Sequence, residues 1–263
     1  MVAAKPLNVR TALGLLAALA LSACGGKPAH VAEGEDAGSA ETSYLAPPRV
    51  EAVRAGAGGL VLSGTAPAGG KVRLAAPSGQ AMYAPVDAKG HWAIALPPAQ
   101  QPRIFGLSAS VRRRQAQAEG YVLVTPAGQA ALLRAGAGAL RIDRPAQPGL
   151  RAVDFDRGGG LEVSASAPPG ATVILRLDGR QAAEGRADAA GRYEASLGSP
   201  TPIRAGAHQM QLFGDGFSDQ ATVQLNAGPP LADGPLRSQL TSAGLRVDWL
   251  TPGGGVQSTL LVH

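Results

Sequence analysis

The chain of 263 residues holds a single cysteine, Cys24. No disulfide can therefore form within one chain, and no CxxC or mixed Cys/His spacing exists to hold a metal. Histidines number four, His30, His91, His208 and His263, none near another in sequence, which is the scatter of surface residues and not of a ligand set. The GxSxG signature of a nucleophile elbow is missing. Ser108 and Ser110 in Gly-Leu-Ser-Ala-Ser lack the second glycine and fall inside a predicted strand, so a serine hydrolase is unsupported. Gly69-Gly70-Lys71 lacks both the upstream glycine spacing and the following Ser/Thr of a phosphate loop and reads as a turn. Asp154-Phe-Asp156-Arg-Gly-Gly-Gly160 begins like a calcium loop, but a third acidic ligand is missing and Ala165 stands where the bidentate Glu belongs. It reads as a loop turning between strands. No metal and no cofactor is expected. Charge is also sparse: charged residues are 16% of the chain, and the formal net charge of +5 is scattered, too mild a field for a nucleic-acid partner.

What is present points to turns. Aromatics are 4%, while Gly (36) and Pro (21) are plentiful, a balance that suits short strands joined by many turns better than long helices. At 45% hydrophobic the chain carries enough apolar material for real cores. Arginine greatly outnumbers lysine and alanine is abundant, which reads as the codon bias of a GC-rich genome.

The N-terminus carries the most specific signal. Lys5 and Arg10 form a basic region before Thr11-Ala-Leu-Gly-Leu-Leu-Ala-Ala-Leu-Ala20, an uncharged apolar run shorter than the ~20 residues a spanning helix needs. This is the order of a signal peptide. The run ends in Leu21-Ser22-Ala23-Cys24, which resembles the lipobox of bacterial lipoproteins. The resemblance implies diacylation of the Cys24 thiol, cleavage before it, and acylation of the new amine. Two or three chains at about 0.8 kcal/mol per buried CH₂ make a firm membrane anchor. Removal of residues 1–23 takes Lys5 and Arg10 and no acid, lowering the formal charge from +5 to +3. Gly25, where lipoproteins retained in the inner membrane usually carry Asp, favours the outer membrane, on either its periplasmic or its surface face. Residues 24–47 are then the lipidated cysteine and a tether rich in Gly, Ala, Ser and acid, without hydrophobic periodicity.

Beyond the tether an internal repeat organises the chain. Leu60-Val-Leu-Ser-Gly-Thr-Ala-Pro-Ala-Gly69 parallels Leu161-Glu-Val-Ser-Ala-Ser-Ala-Pro-Pro-Gly170, 101 positions later. The same offset pairs Val72 with Val173, Leu74 with Leu175, Asp87 with Asp188, Gly90 with Gly191, Trp92 with Tyr193 and Leu96 with Leu197. Each copy reads as strand, Pro-Gly turn, strand, hairpin, Asp-x-x-Gly turn, strand. In the second copy, Asp178-Gly179 supplies the tight turn, and Tyr193, Ala195 and Leu197 share one face. Later strands are expected at 104–111, 120–124 and 130–133, and at 209–213 and 221–225. Many short strands in units near a hundred residues point to sandwiches. The run Ser-Gly-Thr-Ala-Pro-Ala-Gly, then Val-x-Leu and Asp-x-x-Gly-x-Trp, resembles the immunoglobulin-like modules of bacterial envelope proteins over about 58–97 and 159–198.

The expected fold is all-β. Two tandem immunoglobulin-like β-sandwiches, 48–143 and 150–226, are joined by a linker at 144–149 and followed by a linker and a C-terminal β-hairpin within 227–263. In that hairpin 245–250 and 256–262 flank Thr251-Pro-Gly-Gly-Gly255, with Leu245, Val247 and Trp249 on one face. An isolated hairpin is marginal in water, so it either completes the second sandwich or adds to a partner through residues such as Trp249 and Gln257. Arg112-Arg113-Arg114 is the densest basic cluster, a candidate contact for anionic glycan or lipid phosphates beside its reading as a solvated hairpin tip. Trp92 and Tyr193, at matching repeat positions, suit either a sugar platform or, more often, the core. The functional expectation is a non-catalytic envelope lipoprotein, membrane-bound through its lipid, acting as spacer and docking or binding module for an envelope protein or peptidoglycan. The alternative is an accessory or catalytic protein acting on cell-wall glycan, with loop carboxylates such as Asp215 and Asp219.

Overall fold

A computed structural model describes residues 44–143 and 147–263. Among them the secondary structure is all-β, in nineteen strands. The first copy runs β1 (Arg49–Gly56), β2 (Gly59–Thr65), β3 (Lys71–Ala75), β4 (Ala81–Pro85), β5 (His91–Leu96), β6 (Arg103–Val111) and β7 (Arg114–Val124), followed by β8 (Ala130–Leu133) and β9 (Leu140–Arg141). The second runs β10 (Gly149–Phe155), β11 (Leu161–Ser166), β12 (Thr172–Leu177), β13 (Arg180–Arg186), β14 (Arg192–Leu197), β15 (Gly206–Gly214) and β16 (Phe217–Leu225), followed by β17 (Leu236–Thr241), β18 (Gly244–Leu250) and β19 (Val256–Val262).

Seven strands repeat with one topology. In the first copy β1-β2-β5 form one sheet and β4-β3-β6-β7 the heart of the other; in the second β10-β11-β14 and β13-β12-β15-β16 take the same places. Each pair of sheets encloses one core, an immunoglobulin-like sandwich. Alternation drives this layout. In β5 the side chains of Trp92, Ile94 and Leu96 are buried while His91, Ala93 and Ala95 are exposed, and Tyr193 is buried at the matching place in β14.

The repeat extends to backbone hydrogen bonds. Asp87 accepts from the amides of Lys89 and His91, and Asp188 accepts from those of Ala190 and Arg192, so the same Asx turn opens β5 and β14. Gly90 and Gly191 close these turns at φ 86° and 73°. A Cβ on Gly191 would lie 2.6 Å from the Ala167 carbonyl, which is why only glycine fits there. The strands β1 and β10 carry a bulge at the same place, between Val50 and Ala52 and between Leu150 and Ala152.

The copies diverge beyond the seventh strand. The first extends its four-stranded sheet with β8 and β9 beyond β7; the second extends the other sheet, adding β19, β18 and β17 beyond β10. Residues expected to form the final hairpin are thus two strands of a three-stranded ribbon, with β17 lying between the Pro/Gly-rich linker and that hairpin, where no strand was expected. Gly149, also expected in a linker, opens β10, and Asp154 and Phe155 lie in that strand and not in a loop.

Candidate functional site

The two extensions face each other and build the junction of the sandwiches. Strands here bury both faces. In β7, Val122 and Val124 belong to the first core, and Leu123 between them belongs to the junction; in β10, Leu150, Val153 and Phe155 fill the second core while Ala152 faces the first sandwich. Leu123, Ala131, Leu133 and Ile104 on one side meet Val247, Trp249 and Leu261 on the other. Trp249 is wholly buried and meets the Tyr121 ring edge-to-face, centroids 6.0 Å apart.

One carboxylate is enclosed in this apolar layer. Asp154, 2% exposed, accepts from the Ala139 amide at 2.7 Å, from Gln257 Nε2 at 3.0 Å and from the Thr259 hydroxyl. Thr259 Oγ1 in turn accepts from Trp249 Nε1 at 3.0 Å, and Gln257 Oε1 accepts from the Gly136 amide at 3.3 Å. Trp249, Thr259, Asp154 and Gln257 therefore form one chain of bonds that reaches the loop between β8 and β9 of the first sandwich. Burial pushes the Asp154 carboxyl up to about 6, against the pull of its three donors.

The rim is tied by arginines. Arg134 donates to the Gly138 and Ala137 carbonyls and pairs with Glu194 at 3.0 Å, and Arg141 donates to the Val262 carbonyl while holding Asp143 in a fork. Behind the junction, Arg246 clasps Asn226, Asp248 and Ser258, fixing the start of the chain that leads to β17. Burial works to raise the Asp248 carboxyl, but hydrogen bonds from Arg237 and Ser258 and the charge of Arg246 outweigh it and hold it low. These groups are engaged with one another. Asp154 is sealed from solvent and meets only donors, an arrangement suited to fixing two bodies together and not to moving a proton on a substrate.

Sequence-predicted residues fall in several places. Leu21, Ser22, Ala23 and Cys24 lie outside the described residues. Arg112, Arg113 and Arg114 are exposed at the tip joining β6 and β7, where Val111 pairs with Arg114 and Arg112 adopts φ 53°. Trp249 and Gln257, which one of the two readings of the hairpin offered to a partner, are buried with partners inside the chain; that reading of these two residues is corrected, because pairing of β19 with β10 turns their face onto the first sandwich. Trp92 and Tyr193 are core residues. Asp219 accepts from the Leu150 and Gln220 amides, and Asp215 sits exposed in the turn between β15 and β16. Asp156 accepts from the Gly160 amide within its turn while Asp154 enters the junction, which separates the two carboxylates of the calcium-like start. Sequence reasoning missed Asp154 as a structural group. The available signal was a polar residue amid the apolar Ala152, Val153 and Phe155.

No protein-family model and no curated protein matches the chain. Among solved structures, the chain is similar to the BSP domain of a biofilm-associated protein, with 15% identity and a TM-score of 0.24, over 70% of this chain and 30% of that one. A central fibronectin-III array of RIM-binding protein aligns over 82% of this chain and 88% of its own length, with 11% identity and a TM-score of 0.25. A Ca²⁺-stabilised adhesin by which an Antarctic bacterium binds ice aligns over 83% of this chain and 66% of its own, with 14% identity and a TM-score of 0.22.

Proposed function

We propose that the chain is a non-catalytic envelope lipoprotein, anchored to the outer membrane through Cys24, whose tandem sandwiches act as a rigid spacer and docking module for an envelope protein or cell-wall polymer. The observation that carries the reading is the junction. Two sandwiches joined only by a linker would swing freely, whereas these share an apolar layer crossed by the Asp154 bonds and closed by the C-terminal strands. A stiff body of this kind transmits position, which is what a spacer needs. The tether expected at 24–47 would set its distance from the bilayer.

Photo-crosslinking in cells tests the reading, with the probe on exposed positions. Leu240 on β17, 73% exposed, and Arg113 at the β6–β7 tip are suitable. A specific envelope adduct, lost when Cys24→Ala removes the lipid acceptor, is the expected outcome. Absence of any envelope or cell-wall adduct from both positions, with Cys24→Ala leaving the protein membrane-bound, would overturn it.

A further inference from the structure

At the edge of the junction a cavity of about 360 Å³ opens between β9 of the first sandwich and the outer face of β10 and β11 in the second. Arg151 lies in its wall, only 7% exposed. Its Nε donates to Ser166 Oγ at 2.8 Å and its Nη1 to the Leu150 carbonyl at 3.0 Å, both neutral acceptors. Among the described residues its Nη2 has no hydrogen-bond partner, and neither has the buried hydroxyl of Ser164, which lines the same cavity.

The bulge explains why these groups converge. Leu150 pairs with Ala165 and Ala152 with Ser164, which leaves Arg151 as the extra residue, placed beside Ser164. The neighbouring carboxylates make their hydrogen bonds elsewhere. Asp143 is held in the fork of Arg141, and Asp219 accepts from the Leu150 and Gln220 amides. A buried guanidinium with only neutral acceptors and an idle N–H is a costly arrangement unless an anion completes it. Burial first, and the charge of Arg141 second, disfavour the protonated form of Arg151, while the charges of Asp219 and Asp143 favour it less strongly; an anion in the cavity would add to their effect.

The first copy provides an internal control. Its bulge residue is Glu51, exposed, accepting from Thr65 Oγ1, the position that matches Ser166. The fold itself therefore requires neither a cation nor burial at the bulge. Arg141 and Arg192, each paired with an aspartate, also line the cavity, and much of the remaining wall is aliphatic, from Leu140, Pro148, Ala165, Ala167, Pro168 and Pro169.

We propose that this cavity binds a carboxylate carried on a short aliphatic body, with Arg151 Nη2 and Ser164 Oγ as the donors to its oxygens and the alanine and proline wall against its carbon chain. A pocket at a domain junction, mostly apolar with a few convergent donors, is the usual form of a small-ligand site. Both a free short-chain acid and the terminal carboxylate of a peptide present this chemistry.

Isothermal titration of the full chain in detergent with propionate, N-acetyl-Ala-Ala, the amide of that dipeptide, and inorganic phosphate tests the site. Saturable binding of a carboxylate with none of the amide is expected. The dipeptide acid binding more tightly than propionate assigns a peptide terminus; propionate binding as tightly assigns a free acid. Arg151→Met should weaken the acid by roughly tenfold or more, the scale of a lost hydrogen bond to a charged group. Ser164→Ala leaves the two existing bonds of Arg151 in place, so the fold is kept, and should weaken the acid by a smaller factor. Equal binding of acid and amide, phosphate binding tighter than either carboxylate, no saturable binding by any probe, or unchanged affinity in Ser164→Ala and Arg151→Met would each overturn the proposal. These outcomes are independent of the crosslinking result and of the lipid anchor.

Discussion

A carboxylate enclosed among alanines, valines and a tryptophan sets the pH response of the junction. The Asp154 carboxyl is raised by burial to about 6 from its ordinary value of 3.8, so between those values the folded chain holds a proton that the unfolded chain has released. Linkage then fixes the sign: the contribution of this group is complete below pH 4 and is lost as pH rises through 6, by on the order of 3 kcal/mol. Urea unfolding at pH 4, 5, 6 and 7 should show this fall in the native chain, and Asp154→Asn should flatten it; an unaltered profile in the variant would assign the slope elsewhere. Trp249 carries the apolar side of the same contact. Trp249→Ala should cost about 3–5 kcal/mol by cavity formation, while Trp249→Phe, which keeps most of the volume but leaves Thr259 without its donor, should cost less, as read from urea midpoints. At the core position Trp92, the expectation from alternation holds: the ring is buried between the sheets of its own sandwich.

Turns and strands follow rules that are visible locally. Asp178-Gly179 forms the tight turn expected between β12 and β13, both residues at positive φ, and β8 spans residues 130–133, as its apolar run predicts. Gly191→Ala would need the left-handed conformation at φ 73° and would drive a methyl against the Ala167 carbonyl, a loss of at least about 1–2 kcal/mol. Arg112, at φ 53°, is the opposite case. Arg112→Gly should be neutral or stabilising by up to about 1 kcal/mol, since the relief of a strained L-residue exceeds the entropy a glycine adds to the unfolded chain. Thermal denaturation of both variants compares them directly. Strand β17 was illegible for a physical reason: Leu-Arg-Ser-Gln-Leu-Thr is an edge strand with much of its surface in water, so it lacks the apolar face that marks an inner strand. β10 failed as a pattern for the converse reason, being buried on both faces, so that Arg151 and Asp154 interrupt any simple alternation.

At the scale of the whole molecule, the shared layer should make the two sandwiches unfold together. A single transition in urea by tryptophan fluorescence and by circular dichroism is expected for the native chain. Val247→Asp places an unpaired charge in the layer and should separate that transition into two, since each sandwich retains its own core. Two transitions already present in the native chain would remove the basis of a rigid spacer.

The all-β class, the repeat with its offset of 101, the Asp-x-x-Gly turns and most of the inner strands are legible in the amino-acid order. These depend on φ/ψ preferences and on which side chains avoid water, properties that act within a few residues of the chain. Long-range packing is what brings the outward faces of β7, β8, β10, β18 and β19 together, turns Trp249 and Gln257 inward, and makes Arg151 and Ser164 converge at a bulge. Alternation states that a strand has two faces, but whether the second face meets water or another sheet depends on residues far away in the chain, as Gly136 and Gln257, bonded across the junction, are 121 apart. That pairing is a packing decision, made by the area it buries and by the hydrogen bonds it completes.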